Sequence, residues 1–187
     1  MRKLTILVDM DDTIEGLLDA WLAHLNEKYG LSVVKDSITE WDMQKAYPTL
    51  TAEQIYEPLR NAEFWKTVKP YEDAIEYLQA LIDRGHDIYI LTSSHYDTVK
   101  IKFENVLFKY FPFIPYNHVI IASNKQMIHG DILIDDYQNN LIGGSYWGIL
   151  FDQPHNRSFD NKKYDIKRVY NWGQIFDIIT HLEKEQV

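Results

Sequence analysis

The chain has no cysteine, which excludes disulfides, thiolate nucleophiles and thiolate metal sites and suits a reducing compartment. Basic residues are in short supply: 19 Lys and Arg stand against 28 Asp and Glu, for a net charge of -9. A protein that wraps a polynucleotide needs excess positive charge to displace counterions from phosphates, so no polynucleotide partner is expected. A small anionic substrate stays compatible, because one divalent cation or a few oriented donors reverse the local potential inside an acidic protein. Glycine and proline number only 8 and 6 in 187 residues, too few for a low-complexity chain. Long apolar runs are missing as well. Leu4 to Val8 is stopped by Asp9, short of the apolar region of a signal peptide, and no stretch approaches the roughly eighteen apolar residues of a membrane span. These features predict a cytoplasmic protein with no membrane partner, and they leave a homodimer open.

What is present is an ordinary globular composition, with 45% apolar and 25% charged residues, long enough for one core domain with a modest insertion. Leu4 to Val8 reads as a strand buried on both faces of a parallel sheet. Similar runs recur at Asp87 to Leu91, Val119 to Ala122, Ile132 to Ile134 and Ile149 to Phe151. Between them Ala74, Ile75, Leu78, Leu81 and Ile82 recur at helical spacing, as do Val99, Phe103, Val106, Leu107, Tyr110 and Phe111. Strand and helix alternating in this way predict a Rossmann-like α/β fold, a parallel sheet with helices on both faces. The segment from Leu17 to Val68 breaks the alternation: it offers helices, at Leu17 to Tyr29 and Ala52 to Ala62, and no strand. The expected organisation is a catalytic core of residues 1–16 and 69–187, with residues 17–68 as a small all-helical cap inserted after the first strand. His155 to Lys163 reads as a polar loop and Leu182 to Val187 as a fraying helical end.

Ligands of open parallel sheets bind beyond the C-terminal ends of the strands, and the residues there form a chemical set. The first run ends in Asp9-Met10-Asp11-Asp12-Thr13, the second in Thr92-Ser93-Ser94, the third is followed by Lys125, and the fourth ends in Asp135-Asp136. Several carboxylates, hydroxyls and one ammonium are what phosphoryl transfer to a carboxylate requires. Clustered carboxylates raise one another's pKa unless a cation neutralises them, and oxygen ligands suit Mg²⁺. Hydroxyls and an ammonium can hold the remaining phosphoryl oxygens. Asp9 and Asp11, two apart, leave an extended chain on one face, as a nucleophile and an acid/base group must.

In order, these four elements resemble the four signatures of the haloacid-dehalogenase superfamily, the last running Gly130-Asp131-Ile132-Leu133-Ile134-Asp135-Asp136. More narrowly, from Leu4 to Phe151 the chain is similar to the 5'(3')-deoxyribonucleotidases, which share the Asp-Met-Asp start, the Thr-Ser, a Lys and a Gly-Asp-Leu-Leu-Ile-Asp-Asp-like stretch. The resemblance implies a Mg²⁺-dependent phosphatase acting on nucleoside monophosphates. Asp9 would be the nucleophile and Asp11 the acid/base. Thr92, Ser93 and Lys125 would bind phosphate, while Asp9, Asp11 and Asp136 hold the metal with Asp135 beside them. Trp41, Phe64 and Trp65 are the candidate base-enclosing rings, with core packing as the competing role for each. Lys102 competes with Lys125 as the ammonium. Asp12 stands where many superfamily members carry Gly, as an extra carboxylate that either faces solvent or alters the loop. A phosphatase of another metabolite such as a sugar phosphate is the nearest alternative. A phospho-accepting receiver-like module, which would not turn over, is the more distant one.

Overall fold

In a computed structural model, described here for residues 2–184, six strands form one parallel sheet in the order β3-β2-β1-β4-β5-β6. They are β1 (Thr5–Val8), β2 (Asp87–Thr92), β3 (Val119–Ile121), β4 (His129–Asp135), β5 (Ser145–Phe151) and β6 (Lys167–Val169). All pairings are parallel. The five apolar runs become β1 to β5; β6, short and basic, carries no such run.

Alternate residues of the strands feed two apolar clusters. Ile6, Val8, Ile88 and Ile90 belong to the larger cluster and Leu7, Leu91 and Leu133 to the smaller. The α-helices pack on the larger side only. The smaller cluster is closed by Leu141, Ile166, Ile128 and Phe159, which lie in turns and loops. The expectation of helices on both faces is corrected here: β3 to β4, and β4 to β5, are joined by segments too short for a helical crossover, which takes a dozen or more residues.

Between β1 and β2 the chain forms α1 (Leu17–Tyr29), α2 (Met43–Ala46), α3 (Ala52–Tyr56), α4 (Ala62–Trp65) and α5 (Glu72–Asp83). The helix expected over Ala52 to Ala62 is broken. Glu57–Arg60 tightens into a 3₁₀ turn around Pro58, and Asn61 starts α4 by accepting from Glu63 N. Residues 17–68 hold no strand. The segment leaves and rejoins the sheet side by side, since Gly16 N donates to Lys69 O at 3.0 Å and Tyr71 N to Ile14 O at 3.0 Å. Its Trp21, Ile55 and Trp65 share one continuous cluster with the strands.

After β2 come α6 (Val99–Lys102) and α7 (Phe108–Tyr110), joined by a π turn over Phe103–Leu107, so the expected long helix is one path with a widened turn. Such turns cluster at functional positions, and this one begins directly after Lys102. The final helix, α8 (Trp172–Leu182), packs on α5 through Tyr77 and Phe176. Of the expected fraying end, Leu182 closes α8, and residues 185–187 lie outside the described part. Among the described residues no helix is long and apolar enough to cross a membrane.

Candidate active site

The strand order reverses between β1 and β4, which places a crevice beyond their C-terminal ends. Val8 pairs with Ile134 and with Ile90, so the residues that follow leave the sheet side by side. Asp9, at the end of β1, is fixed by its backbone N–H, which donates to Ile134 O at 2.9 Å. Carboxylate oxygens of Asp9, Asp135 and Asp136 all lie within 4.8 Å of one another, and all three residues are buried. The Gly130-Asp131 that opens this motif is structural: a Cβ on residue 130 would meet Leu7 Cγ at 2.8 Å, and Asp131 accepts from Thr5 N and Arg2.

Two buried lysines divide the carboxylates. Lys125 donates to Asp9 and, at 2.7 Å, to Asp135. Lys102 donates to Asp11 at 2.6 Å, Ser94 at 2.9 Å and Thr92 at 3.1 Å. The structure thus brings both ammonium groups to the crevice, rather than one in place of the other. Thr92 and Ser93 cap no helix, since α6 begins only at Val99. Ser93 is exposed at the crevice, and Ser94 joins Thr92 in the Lys102 network.

Electrostatically the site is unbalanced. Burial pushes the Asp9 carboxyl up; Lys125 opposes this, while Asp135, Asp136 and Asp11 add to it. Asp136 is raised by burial and by Asp135. Burial also pushes Asp11 upward, but the charge of Lys102 and its hydrogen bond leave it below the usual carboxylate range. Glu15 is raised by burial and by the Asp11 charge, and neither of its buried carboxyl oxygens has a hydrogen-bond partner. Asp12 does not face solvent. It is buried, accepts from Leu18 N at 3.0 Å and so caps α1, whose own N-cap is Gly16. Its φ of 54° is the left-handed region that Asp tolerates better than most residues, which is how a carboxylate occupies a Gly position.

Asp136 Oδ2 and Asp11 Oδ1 are buried without a hydrogen-bond partner; His155 Nε2 lies 3.1 Å from Asp136 Oδ2 in a direction that makes no hydrogen bond. Unsatisfied carboxylate oxygens beside mutually repelling neighbours are a hard-oxygen donor set, and they fit a divalent cation such as Mg²⁺.

A cavity of about 400 Å³ opens from Asp11 and Lys102. Trp41, Trp65, Tyr56 and Met43 line it from the helical segment, and Ser93, Asp97 and Thr98 from the loop after β2. Phe64 is not on it. Its ring is buried edge-on between His24 and Trp65, so it packs the core. Trp21 is buried core, its Nε1 donating to Ile55 O at 2.7 Å, and an edge of it reaches the cavity wall. Sequence reasoning named Ser94 in the Thr92-Ser93-Ser94 run but gave it no role, and it did not single out Glu15, or Gln153, His155 and Asn156 in the loop after β5; among these four only Glu15, in its Asp-rich context, offered a signal.

The family described as 5' nucleotidase, deoxy (pyrimidine), cytosolic type C protein matches residues 2–186. The chain belongs to this family. It is similar to the 5'(3')-deoxyribonucleotidase of Bacillus subtilis (strain 168), 34% identical over 175 residues that cover 92% of this chain and 96% of the relative. It is likewise 34% identical over 161 residues to that of Clostridium acetobutylicum, covering 84% and 87%. Among solved structures, a haloacid-dehalogenase family hydrolase from Deinococcus radiodurans R1 with bound phosphate and sodium superposes with a TM-score of 0.65 at 14% identity, covering 96% of each chain. A haloacid dehalogenase-like protein from Streptococcus pneumoniae gives 0.63 at 12%, covering 95% and 98%. These two show the fold. Membership makes the chain a phosphoric monoester hydrolase.

Proposed function

We propose that this chain hydrolyses nucleoside monophosphates, deoxyribonucleoside 5'- or 3'-monophosphates with pyrimidine bases first, through an aspartyl phosphate on Asp9 in a Mg²⁺-dependent reaction. The observation that carries this reading is one cavity lined both by Asp11 and Lys102 and by the rings of Trp41 and Trp65. It suits a ligand that carries both an anionic group and a flat ring. The family's description and the names of the relatives point to the same substrates. On this reading residues 1–16 and 69–187 are the catalytic core and 17–68 the cap, consistent with the paired crossing at Gly16 and Lys69.

Asp9 Oδ attacks phosphorus, and the bond from phosphorus to the ester oxygen breaks as Asp11 gives that oxygen a proton. Water then attacks phosphorus, Asp11 takes its proton, and the Asp9–phosphorus bond breaks to release inorganic phosphate. The ionised form that Lys102 favours in Asp11 is the form needed for the second half. For the first, the arriving phosphate competes for the same ammonium and loosens its hold on Asp11. Thr92, Ser93, Lys102 and Lys125 supply donors for the phosphoryl oxygens. Asp9, the Asp11 carbonyl and Asp136, with Asp135 adjacent, would hold the Mg²⁺, which when bound supplies positive charge against the anionic nucleophile and phosphate.

The test is phosphate release from a panel of nucleoside and sugar monophosphates, with Mg²⁺ and with chelator. Deoxyribonucleotides should lead the panel and chelator should stop release. Asp9→Asn should lower turnover by about 10⁴-fold or more with the fold intact. An Asp9→Asn protein that still turns over rules out the covalent route, and a preference for sugar phosphates overturns the substrate assignment.

A further inference from the structure

The loop that follows β5, Asp152 to Arg157, touches both acidic loops of the site through their backbones. Gln153 Nε2 donates to the Asp12 carbonyl at 2.8 Å and to Tyr71 Oη at 3.2 Å. Asn156 Nδ2 donates to the Asp136 carbonyl at 2.7 Å and to Phe151 O at 2.8 Å. His155 Nε2 lies 3.2 Å from the same Asp136 carbonyl. All three side chains are buried.

Asn156 has no freedom left. Its Oδ1 accepts from Arg168 Nη1 at 2.6 Å and from Gln153 N at 3.3 Å. Arg168 also holds Asp152 at 2.7 Å and the Asn156 carbonyl at 2.9 Å, which fastens the loop to β6. His155 meets Trp41 edge-on, with ring centroids 4.8 Å apart, so its ring lies between the helical segment and Asp136. A loop whose buried amides hold one backbone carbonyl of each acidic loop, that of Asp12 just after the acid/base residue and that of Asp136 just after β4, fixes the distance between those loops.

We propose that Gln153, His155 and Asn156 are positioning residues that set the spacing between the Asp9–Asp12 loop and Asp136 and thereby the affinity of the site for its divalent cation. The inference rests on the metal reading given above. Groups that orient metal ligands without touching the metal typically carry a 10–100-fold effect on affinity, and backbone placement of a ligand acts the same way.

The experiment is calorimetric titration of Mg²⁺ alone into the purified full-length chain, with thermal melts to establish folding. Asn156→Asp keeps the shape and removes the donor to Asp136; it should weaken Mg²⁺ binding by about tenfold or more. His155→Phe keeps the ring against Trp41 and should also weaken binding. His155→Gln, which returns an N–H donor near the place of Nε2, should recover most of it. Gln153→Glu tests the Asp12 side. In turnover assays the Mg²⁺ concentration for half-maximal rate should rise in Asn156→Asp, His155→Phe and Gln153→Glu, while kcat at saturating Mg²⁺ recovers. If Asn156→Asp does not melt cooperatively, His155→Phe and Gln153→Glu carry the test. Folded variants that bind Mg²⁺ as tightly as the natural chain overturn the positioning role alone. A natural chain that takes up no Mg²⁺ overturns the metal reading and this inference with it.

Discussion

The two ends of the sheet both bury charge, and they handle it in opposite ways. At the N-terminal end Glu183 is buried and accepts from Arg84 Nε at 2.9 Å and from His86 Nε2 at 2.6 Å. His86 Nδ1 in turn accepts from Leu4 N at 3.2 Å, which fixes the ring's tautomer with its proton on Nε2. The hydrogen bond from Arg84 takes the Glu183 carboxyl down to about 2, against the opposing effect of burial and with help from His86. At the C-terminal end Asp9, Asp12, Glu15 and Asp136 are all driven upward, first by burial and then by neighbouring carboxylates, Asp11 and Asp135 among them. One end ties α8 to the strands; the other holds repulsion that its two lysines relieve only in part. Concentrating unsatisfied charge where chemistry occurs, at a cost to stability, is a common trade in active sites.

The comparison breaks most visibly at Lys102. Lys102→Met removes the ammonium shared by Asp11, Thr92 and Ser94 and should lower kcat/KM by about 10²–10³-fold, measured by phosphate release. A Lys102→Met protein with an unchanged rate would remove this ammonium from the reaction. At the opposite end the expected result is reversed. Glu183→Gln keeps the shape but loses the charge, and it should cost about 2 kcal/mol of stability in a denaturant titration while kcat/KM per folded molecule stays the same. The pH dependence has a definite sign. Because the folded carboxyl sits below its ordinary value near 4.5, the Glu183 contribution is present above that value and is lost as the pH falls from about 4.5 toward 2. The stability gap between the natural chain and Glu183→Gln should therefore close over that interval.

How much of this was legible in the sequence follows the same division. The strands and the order of the acidic motifs were open to reading because strands buried on both faces leave continuous apolar runs that end where ligands bind. The catalytic candidates Asp9 and Asp11 come from that pattern, and the family match supports the setting though not their individual roles. Lys125 against Lys102 could not be settled by spacing, since each lies near a motif, and in the fold both reach the crevice. β6, only Lys167–Val169, has too few apolar residues to announce itself. Gln153, His155 and Asn156 were hidden for another reason. A side chain that hydrogen-bonds a backbone carbonyl needs no particular residue at its partner and leaves no periodicity, so a buried polar frame reads as an ordinary loop. Phe64 and Trp65 are adjacent and chemically alike, and only packing separates the ring that lines the cavity from the one that does not. The C-terminal helix, with Asn171 accepting from Gln174 N at its start and Ile175 and Ile179 buried on one face, carried a readable signal.

The smallest expected effect is also the sharpest test of the contrast. Asp136 is raised by burial and by Asp135, so keeping it charged opposes folding. That cost is absent below the ordinary carboxylate value near 3.8 and grows as the pH rises through the folded value. In chelator at neutral pH, Asp136→Asn should therefore be more stable than the natural chain, by about 1 kcal/mol after the loss of its remaining contacts. The gain should fade toward pH 4. Mg²⁺ should raise the melting temperature of the natural chain by mass action and leave Asp136→Asn nearly unmoved. The two ends would then respond to the same kind of change with opposite sign: neutralising Glu183 weakens the fold, and neutralising Asp136 strengthens it. If Asp136→Asn is instead destabilised in chelator, the C-terminal end is satisfied by its own lysines, and the reason for invoking a cation there is gone.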